Sequence, residues 1–475
     1  MSKLILGPIV GGLTATSANL WGRSDGAGVL HAWLGKRSDL SDAALTVKSL
    51  PLGPKDGYAG VAPLGNLSPN SHYHYTLTLD ERPPNPDKGP YPEFTTFPEE
   101  GQKTAFNFAF GSCFLPPDDH SGEIFKRLEE QRKKDDLRFW LLIGDQIYAD
   151  DYEHNGIDKI AVTVDDYRDA YRYAWSGPVL QTLLANLPAF MTMDDHEVED
   201  DWRWTDKERT QATIPCWNRL KRWYQNRPLE ERQFPRQRVL NALQAYWQHQ
   251  AMHGPPLINS LAINSFGQYN LDAPQMGAFA YRFTYGAAAF FMLDTRSQRV
   301  RNIKMRRMLG EEQWGALESW LLEVKETYPV KFIVSSGAVL YRFFLDFPAD
   351  RWSGYPQERD RLLNFLADNG IEGVYLLAGD LHAAHAIRAE LPGSGGKIQH
   401  LWEFCSSPFV QEPNRLSGTL YNPFRFGPLK DLKLAFRAEA NNFGLVRVNF
   451  SPRGRPLVKF EVYGEDGQLL GVAGD

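Results

Sequence analysis

The sequence predicts an α/β protein preceded by a small all-β domain, and three observations lead to this expectation. The chain has 475 residues, which is too long for one compact core, so two domains are expected. Short segments that alternate apolar and polar residues occupy residues 1–98. From Thr104 onward, buried strands alternate with helical segments. We therefore place an all-β domain at 1–98 and an α/β domain at 99–475.

The bulk composition narrows the classes of function. The chain is 43% hydrophobic and 23% charged, as is usual for a globular protein, and its net charge is −6. Nothing in this charge attracts nucleic acid or anionic lipid, so an anionic substrate would need a local positive centre such as bound metal. The three cysteines cannot form a disulfide framework. Neither an export signal nor a membrane-length apolar stretch is found, which predicts a cytoplasmic location. The oligomeric state is not predicted.

The first domain contains the alternating segments SANLWGRS, GVLHAWLG and SHYHYTLTL. NLSPNSHYHYTLTLD resembles a late strand pair of a fibronectin type III-like sandwich, in which a tyrosine after a Pro-Asn turn packs the corner. His72 and His74 share one face of that strand. Their pattern is typical of the solvated face of an antiparallel sheet, and a metal pair is the alternative. The proline-rich stretch RPPNPDKGPYPEF is predicted to connect the two domains.

The second domain is predicted from the order of its apolar segments. The strands are AFNFAFGSC, LRFWLLIGD, PAFMTMDD, two within GAFAYRFTYGAAAFFMLDTRS, VKFIVSSG and EGVYLLAGD. The helices are GEIFKRLEEQRKKDD, TVDDYRDAYRYAW, GPVLQTLLANL, NALQAYWQHQAM and GEEQWGALESWLLEVKETY. Several of these strands end in glycine or aspartate, followed by side chains that can bind metal.

The strand from Phe139 to Ile143 is the one around which the prediction is built. Gly144 allows a sharp turn, and Asp145 and Tyr148 follow in the loop at the carboxyl end. Open α/β sheets gather their chemistry at that end, and a carboxylate near a phenol suits a metal site. The alternative is a capped strand that ends in a solvated aspartate with a packing tyrosine.

Ligand-type side chains recur at three further strand ends, namely Cys113; Asp194, Asp195 and His196; and Asp380 and His382. Each group has a plain structural reading: a buried cysteine, loop-capping carboxylates, or a chance Asp-x-His pair. Their recurrence on strands of one presumed sheet favours a shared metal site.

The motifs GSC, GDQIY, MDDHE, LDTRS and GDLH, in this order, resemble the signature of the PhoD-like alkaline phosphatases, a branch of the calcineurin-like metallophosphatases. The resemblance covers residues 104 to about 450. It implies a four-layer metallophosphatase fold, a sandwich of two mixed sheets flanked by helices, with a dinuclear metal centre. The implied activity is hydrolysis of phosphate monoesters and diesters by metal-activated water. A nucleotide or nucleic-acid phosphodiesterase would share these residues, and a non-catalytic binder with a degenerate site is the third possibility.

The resemblance also implies the ligands of the first ion. Asp145 would bridge the two ions, and Cys113, Tyr148 and His382 would complete the site of a ferric ion.

For the second ion, the resemblance assigns Asp195 and Asp380, with Asp194 as a ligand or an orienting group. A carboxylate site of this kind suits Ca²⁺, with Mg²⁺ or Mn²⁺ as alternatives. His196 matches the family's general acid.

Arg296 has two interpretations, a phosphate clamp or a salt bridge to the acidic loop. The basic stretch RSQRVRNIKMRRM is interpreted as the solvated face of a helix, with a second phosphate site as the alternative. The aromatic segments WRW and CWNRLKRWYQ are interpreted as core, with a lid as the alternative.

Overall fold

The computed structural model describes residues 2–117, 120–259, 277–302, 304–344, 350–393 and 397–474. The first seven strands form one sheet of three strands and one of four. These strands are β1 (Leu4–Gly11), β2 (Ala18–Ser24), β3 (His31–Gly35), β4 (Ala44–Lys48), β5 (Ala59–Leu64), β6 (His72–Thr78) and β7 (Glu93–Thr95). The strand orders are β1-β2-β5 and β4-β3-β6-β7.

This arrangement confirms the predicted fibronectin type III-like sandwich. The Tyr73 hydroxyl accepts a hydrogen bond from the backbone N–H of Ser68 at 3.0 Å, which is the corner contact expected of a tyrosine after the Pro-Asn turn. The sandwich shares its core with the rest of the chain, since Leu20 and Phe139 belong to one continuous cluster of buried residues. The domain boundary after residue 98 therefore stays a prediction.

The second part of the chain contains two large mixed sheets and one small sheet. Its strands are β8 (Phe106–Gly111), β9 (Leu137–Ile143), β10 (Ala189–Thr192), β11 (Arg203–Trp204), β12 (Ala212–Thr213), β13 (Tyr281–Tyr285), β14 (Ala288–Met292), β15 (Val300–Arg301), β16 (Arg306–Arg307), β17 (Val330–Gly337), β18 (Val374–Gly379), β19 (Ala384–Pro392), β20 (Ile398–Cys405), β21 (Asp431–Ala438), β22 (Asn442–Phe450), β23 (Pro456–Gly464) and β24 (Leu469–Gly474). The large sheets have the orders β10-β9-β8-β22-β23-β24 and β13-β14-β17-β18-β20-β19-β21, and the small one is β12-β11-β15-β16.

The α-helices are α1 (Glu123–Asp135), α2 (Val164–Ala174), α3 (Pro178–Asn186), α4 (Cys216–Tyr224), α5 (Leu229–Arg232), α6 (Arg236–Tyr246), α7 (Glu311–Val324) and α8 (Pro356–Asp368). All five predicted helices are present, as α1, α2, α3, α6 and α7. None of the helices in the described part of the chain is both long and apolar enough to cross a membrane.

The two large sheets stack face to face through aromatic side chains. The ring of Phe108 on β8 lies 5.6 Å from that of Phe290 on β14 and 5.3 Å from that of Phe332 on β17. Helix α1 covers the outer face of the first sheet, and Trp320 of α7 packs on Phe291 of the second at 5.3 Å. This confirms the predicted four-layer fold.

Parallel pairing gathers the strand ends that carry the predicted ligands. Strands β8, β9 and β10 are parallel neighbours in the first sheet. Strands β14, β17, β18 and β20 are parallel neighbours in the second. Because parallel strands end at the same edge, both sheets present their carboxyl-end loops together.

The described residues of the basic stretch after β14 are not helical, so the prediction of a helix is wrong, although Lys304 and Arg306 are exposed. It contains the two short strands β15 and β16 instead. Arg296 and Arg299 are both 1% exposed, and both pair with Asp350. In the sequence a buried, paired arginine cannot be told from a solvated one, which is why the pattern misled.

The aromatic segments divide between core and surface. Trp202 and Trp204 are fully buried, as predicted. Trp217 and Trp223 of α4 are 47% and 68% exposed, so the prediction of a core position is wrong for that helix.

Candidate metal centre

The loops that leave three strands use the left-handed backbone conformation at the predicted ligands. The angle φ is 60° at Cys113, 54° at Asp145 and 65° at Asp380. Residues other than glycine rarely adopt such angles, and those that do are concentrated at functional sites. Gly144 has a φ of 111°, and a Cβ there would lie 2.6 Å from that of Asp194. Only glycine therefore lets the loops after β9 and β10 approach this closely.

Four carboxylates converge where these loops meet: Asp145, Asp194, Asp195 and Asp380, named here the aspartate cluster. One oxygen of each lies within 4.8 Å of the others. Burial is the largest cause that raises the pKa of Asp145, Asp194 and Asp380 above the ordinary range. Among the described residues, Asp194 Oδ2 and Asp195 Oδ1 are buried without a hydrogen-bond partner. Carboxylate oxygens this close repel one another unless a proton or a cation lies between them, and a metal ion that prefers oxygen could serve all four at once.

Softer donors lie on the other side of Asp145. Cys113 Sγ is 3.3 Å from Asp145 Oδ2, and the Tyr148 hydroxyl is 3.4 Å from His382 Nε2. His382 Nδ1 lies 3.0 Å from the carbonyl of Glu412. Since a carbonyl only accepts, Nδ1 carries the proton, and Nε2 has a lone pair that can bind a metal ion.

The pKa values of Cys113, Tyr148 and His382 indicate under which conditions these side chains could bind a metal ion. Burial, with Asp380 next, raises the pKa of Cys113 to about 12. Burial, followed by Cys113 and Asp145, raises the pKa of Tyr148 well above its usual value. Burial lowers the pKa of His382 to about 4, so the ring is neutral. A thiolate and a phenolate would form here only beside a strong positive charge, which is the behaviour of metal ligands.

His196 lies at the edge of the centre. Its Nδ1 is 2.7 Å from Asp150 Oδ1, its backbone N–H donates to Asp145 Oδ1 at 3.2 Å, and its ring lies 4.1 Å from that of Tyr148. Burial alone would lower the pKa of His196, but Asp150 and then Asp145 outweigh it and raise the pKa well above 6.5. The same ion pair holds the pKa of Asp150 at about 2 despite its burial. The imidazole is therefore charged at neutral pH.

Arg296 lies among three carboxylates. Its guanidinium forms ion pairs with Asp194 and Asp350 and lies 3.4 Å from Asp195 Oδ1. These contacts correspond to the salt bridge that the sequence left open as one interpretation. Its Nη1 has no hydrogen-bond partner among the described residues.

Glu197 supports the centre, and sequence reasoning gave it no role. It is fully buried, and its carboxylate accepts hydrogen bonds from the backbone N–H groups of Asp145 at 3.0 Å, Gln146 at 2.8 Å and Asp194 at 2.9 Å. This one side chain thus ties together the loops after β9 and β10. Its position inside the MDDHE motif was the only signal in the sequence.

Three serines were also missed. Ser407 donates to Cys113 Sγ at 3.3 Å, Ser336 donates to Asp194 Oδ1 at 2.8 Å, and Ser112 accepts from the backbone N–H of Asp380 at 3.0 Å. Each fixes the direction of a predicted ligand.

A cleft of about 410 Å³ opens next to the centre. Its walls include Tyr148, His196, Lys221, His382 and Gln411. The exposed helix α4 forms one wall, so the aromatic segment that was predicted to be core lies beside the cleft.

Fold and site together define the class, a four-layer protein of two mixed sheets with a buried cluster of side chains of the types that can bind metal at the strand ends. Two solved structures share this fold. The structure of PhoD gives a TM-score of 0.68 at 19% identity and covers 99% of this chain and 92% of its own. A purple acid phosphatase from yellow lupin (Lupinus luteus) gives 0.60 at 12% identity, covering 98% and 73%.

The chain belongs to the PhoD-like phosphatase family, whose sequence profile matches residues 108–453. It is also 28% identical over 360 residues to alkaline phosphatase D of Bacillus subtilis (strain 168), a match that covers 67% of this chain. The matched region spans 52% of that relative's length.

Proposed function

We propose that the chain is a phosphoric ester hydrolase with a dinuclear metal centre. The observation that carries the proposal is the buried aspartate cluster, in which Asp194 Oδ2 and Asp195 Oδ1 lack hydrogen-bond partners among the described residues. Membership in the PhoD-like phosphatase family supports the reaction class. Bound metal ions would supply Lewis-acid activation of water and would neutralise charge on the phosphate.

The donors on one side of Asp145 suit a ferric ion. Cys113, Tyr148 and His382 offer a thiol, a phenol and an imidazole, and the two acidic groups donate charge strongly once deprotonated. The neutral ring of His382, held through Nδ1, would offer the lone pair of Nε2 to the ion.

The second ion would be held by carboxylates alone. Asp194, Asp195 and Asp380 would offer carboxylate oxygens together with Asp145, a set that suits Ca²⁺, with Mg²⁺ or Mn²⁺ as alternatives. Arg296 would hold Asp194 in place and balance part of its charge.

His196 is the side chain that we assign to protonate the leaving group. Asp150 engages Nδ1 and keeps the ring charged, so Nε2 holds a proton for the departing oxygen at the edge of the cleft. Arg296 Nη1, which has no hydrogen-bond partner in the described part of the chain, is the atom left for a phosphate oxygen.

The substrate would be a small phosphate ester. The cleft of about 410 Å³ has the size of a small-molecule site, and Lys221 adds positive charge to its wall. Both monoesters and diesters remain within the proposal. A cytoplasmic location is also part of it, because Cys113, Cys216 and Cys405 are all free thiols. Cell fractionation tests that location.

The deciding experiment combines metal analysis of the purified chain with rates on matched monoester and diester substrates. We expect iron and a second metal, and a loss of iron in Cys113→Ser. Cys405→Ser is the matched control, because Cys405 is also buried but its thiol lies against the carbonyls of Gly379 and Ala383. Full hydrolytic activity in iron-free protein would contradict the ferric assignment, and inactivity on both ester classes with metal bound would contradict the proposed function.

A further inference from the structure

The N-terminal sandwich contains a second group of metal-type ligands. His72 and His74 lie on β6 and, because strand side chains alternate, point to the same face. Glu93 on β7 is the direct cross-strand partner of His74. The Nε2 atoms of the two histidines are 3.2 Å apart, and His72 Nε2 lies 3.4 Å from Glu93 Oε2. The sequence pattern suggested a solvated face, yet His74 is only 8% exposed.

The remaining atoms of these side chains are held by neighbours. His74 Nδ1 lies 3.2 Å from the carbonyl of Tyr91, so Nδ1 carries the proton and Nε2 presents a lone pair. His72 Nδ1 lies 3.2 Å from Thr95 Oγ1. Metal-binding imidazoles are oriented by contacts of this kind on the nitrogen that faces away from the metal.

The carboxylate of Glu93 is oriented in the same way. Arg132 of α1 binds Glu93 Oε1 at 3.3 Å, which leaves Oε2 turned toward His72. Arg132 is itself paired with Glu129 at 2.7 Å, so its position is fixed from both sides.

The spacing matches a tetrahedral ion. Zinc bonds of 2.0–2.2 Å at tetrahedral angles place neighbouring donor atoms about 3.3–3.6 Å apart. The observed separations of 3.2 Å and 3.4 Å agree with this spacing. An N–H on His72 Nε2 could serve only one of its two neighbours, His74 Nε2 or Glu93 Oε2, whereas a cation serves both. The His72 and Glu93 side chains are 47% and 34% exposed, so water can supply a fourth ligand.

We propose that His72, His74 and Glu93 bind one divalent cation with a preference for nitrogen ligands, best matched by Zn²⁺. The site is separate from the strand-end centre and does not depend on the proposed function. Because Arg132 belongs to α1, the bound ion would stabilise the contact between the sandwich and the α/β part of the chain.

The test counts zinc in the full chain after removal of metal with chelator and reconstitution with Zn²⁺. We expect His72→Ala to bind one Zn²⁺ fewer than the wild type, with its phosphatase activity unchanged. His400→Ala is the matched control, because His400 is 44% exposed and also lies near a glutamate, Glu390, at 3.9 Å. It should bind as much zinc as the wild type.

A second variant and a second measurement keep the test decisive. Glu93→Gln should also lose one Zn²⁺, and the rise in thermal unfolding temperature on adding Zn²⁺ should be smaller in both variants than in the wild type. The proposal is overturned if both variants bind as much zinc as the wild type and show the same rise in unfolding temperature on adding Zn²⁺. The two histidines would then share only a hydrogen bond.

Discussion

Replacing Glu197 by glutamine should disrupt metal binding although it replaces none of the proposed metal ligands. Its Oε2 accepts from the backbone N–H groups of Asp145 and Asp194, and Oε1 accepts from the backbone of Gln146 and the side chain of Gln250. An amide has only one accepting oxygen, so one of these donor pairs would face an NH₂ group. Two buried donors would then lose their acceptors at about 1–3 kcal/mol each, lowering the free energy of unfolding by about 2–6 kcal/mol.

Glu403 provides the matched control. It is equally buried, its Oε2 accepts from the backbone N–H groups of Val339 and Leu340, and its Oε1 accepts from that of Tyr341. Denaturant unfolding should show similar losses for Glu403→Gln and Glu197→Gln. Only Glu197→Gln should also lose bound metal and kcat on a phosphate ester. If the two variants retain equal metal and equal activity, the role given to Glu197 is refuted.

Outcomes are expected for four further variants. Asp145→Asn should lose both metals and nearly all hydrolysis while circular dichroism shows an intact fold; retention of metal and turnover would exclude the site. His196→Ala should slow substrates with poor leaving groups by about 10²–10⁴-fold and spare nitrophenyl esters. Equal losses on both substrate classes in His196→Ala would speak against a general acid. Because Asp150 raises the pKa of His196, Asp150→Asn should lower that pKa and move the alkaline fall in rate to lower pH. Ferric charge transfer should colour the protein, and Tyr148→Phe should shift or bleach that absorption; a colourless, iron-free enzyme fully active with Mg²⁺ would rule this out.

Local patterns were enough to predict the scaffold of the site. Short apolar runs that end in glycine or aspartate identified the strands, and parallel pairing brings Asp145 and Asp194 to one edge of the first large sheet. Asp380 follows β18 of the second large sheet, so the presumption that all the ligand-type residues leave one sheet is wrong, although the two sheets bring them together. The strands β19–β24 were not predicted. Two of them, β21 and β24, are half-exposed edge strands whose apolar runs are weak.

The contacts that tune the site have no local signal. Glu197 binds the loop after β9 across about 50 residues of sequence, and Asp150 reaches His196 across 46. Such pairs depend on the tertiary arrangement of the loops, which the spacing of residues along the sequence does not indicate. For Arg296 the sequence offered a salt bridge to the acidic loop as one interpretation, but nothing in it indicated that the guanidinium would be buried among three carboxylates.

The outer acidic group of Asp195, Asp201 and Asp350 explains why cations are expected in the aspartate cluster and not further out. Its oxygens also lie within 4.8 Å of one another. Burial and then Asp350 raise the pKa of Asp201 to about 10, so Asp201 keeps its proton at neutral pH. Arg296 and Arg299 outweigh burial and hold the pKa of Asp350 well below its usual range. The hydrogen bond between Asp201 and Asp350 and the two guanidinium groups thus already satisfy the outer group. In the aspartate cluster, by contrast, Asp194 Oδ2 and Asp195 Oδ1 have no hydrogen-bond partner among the described residues. Asp201→Asn should therefore leave the metal content unchanged in elemental analysis. Loss of one metal equivalent would place an ion in the outer group and reverse this assignment.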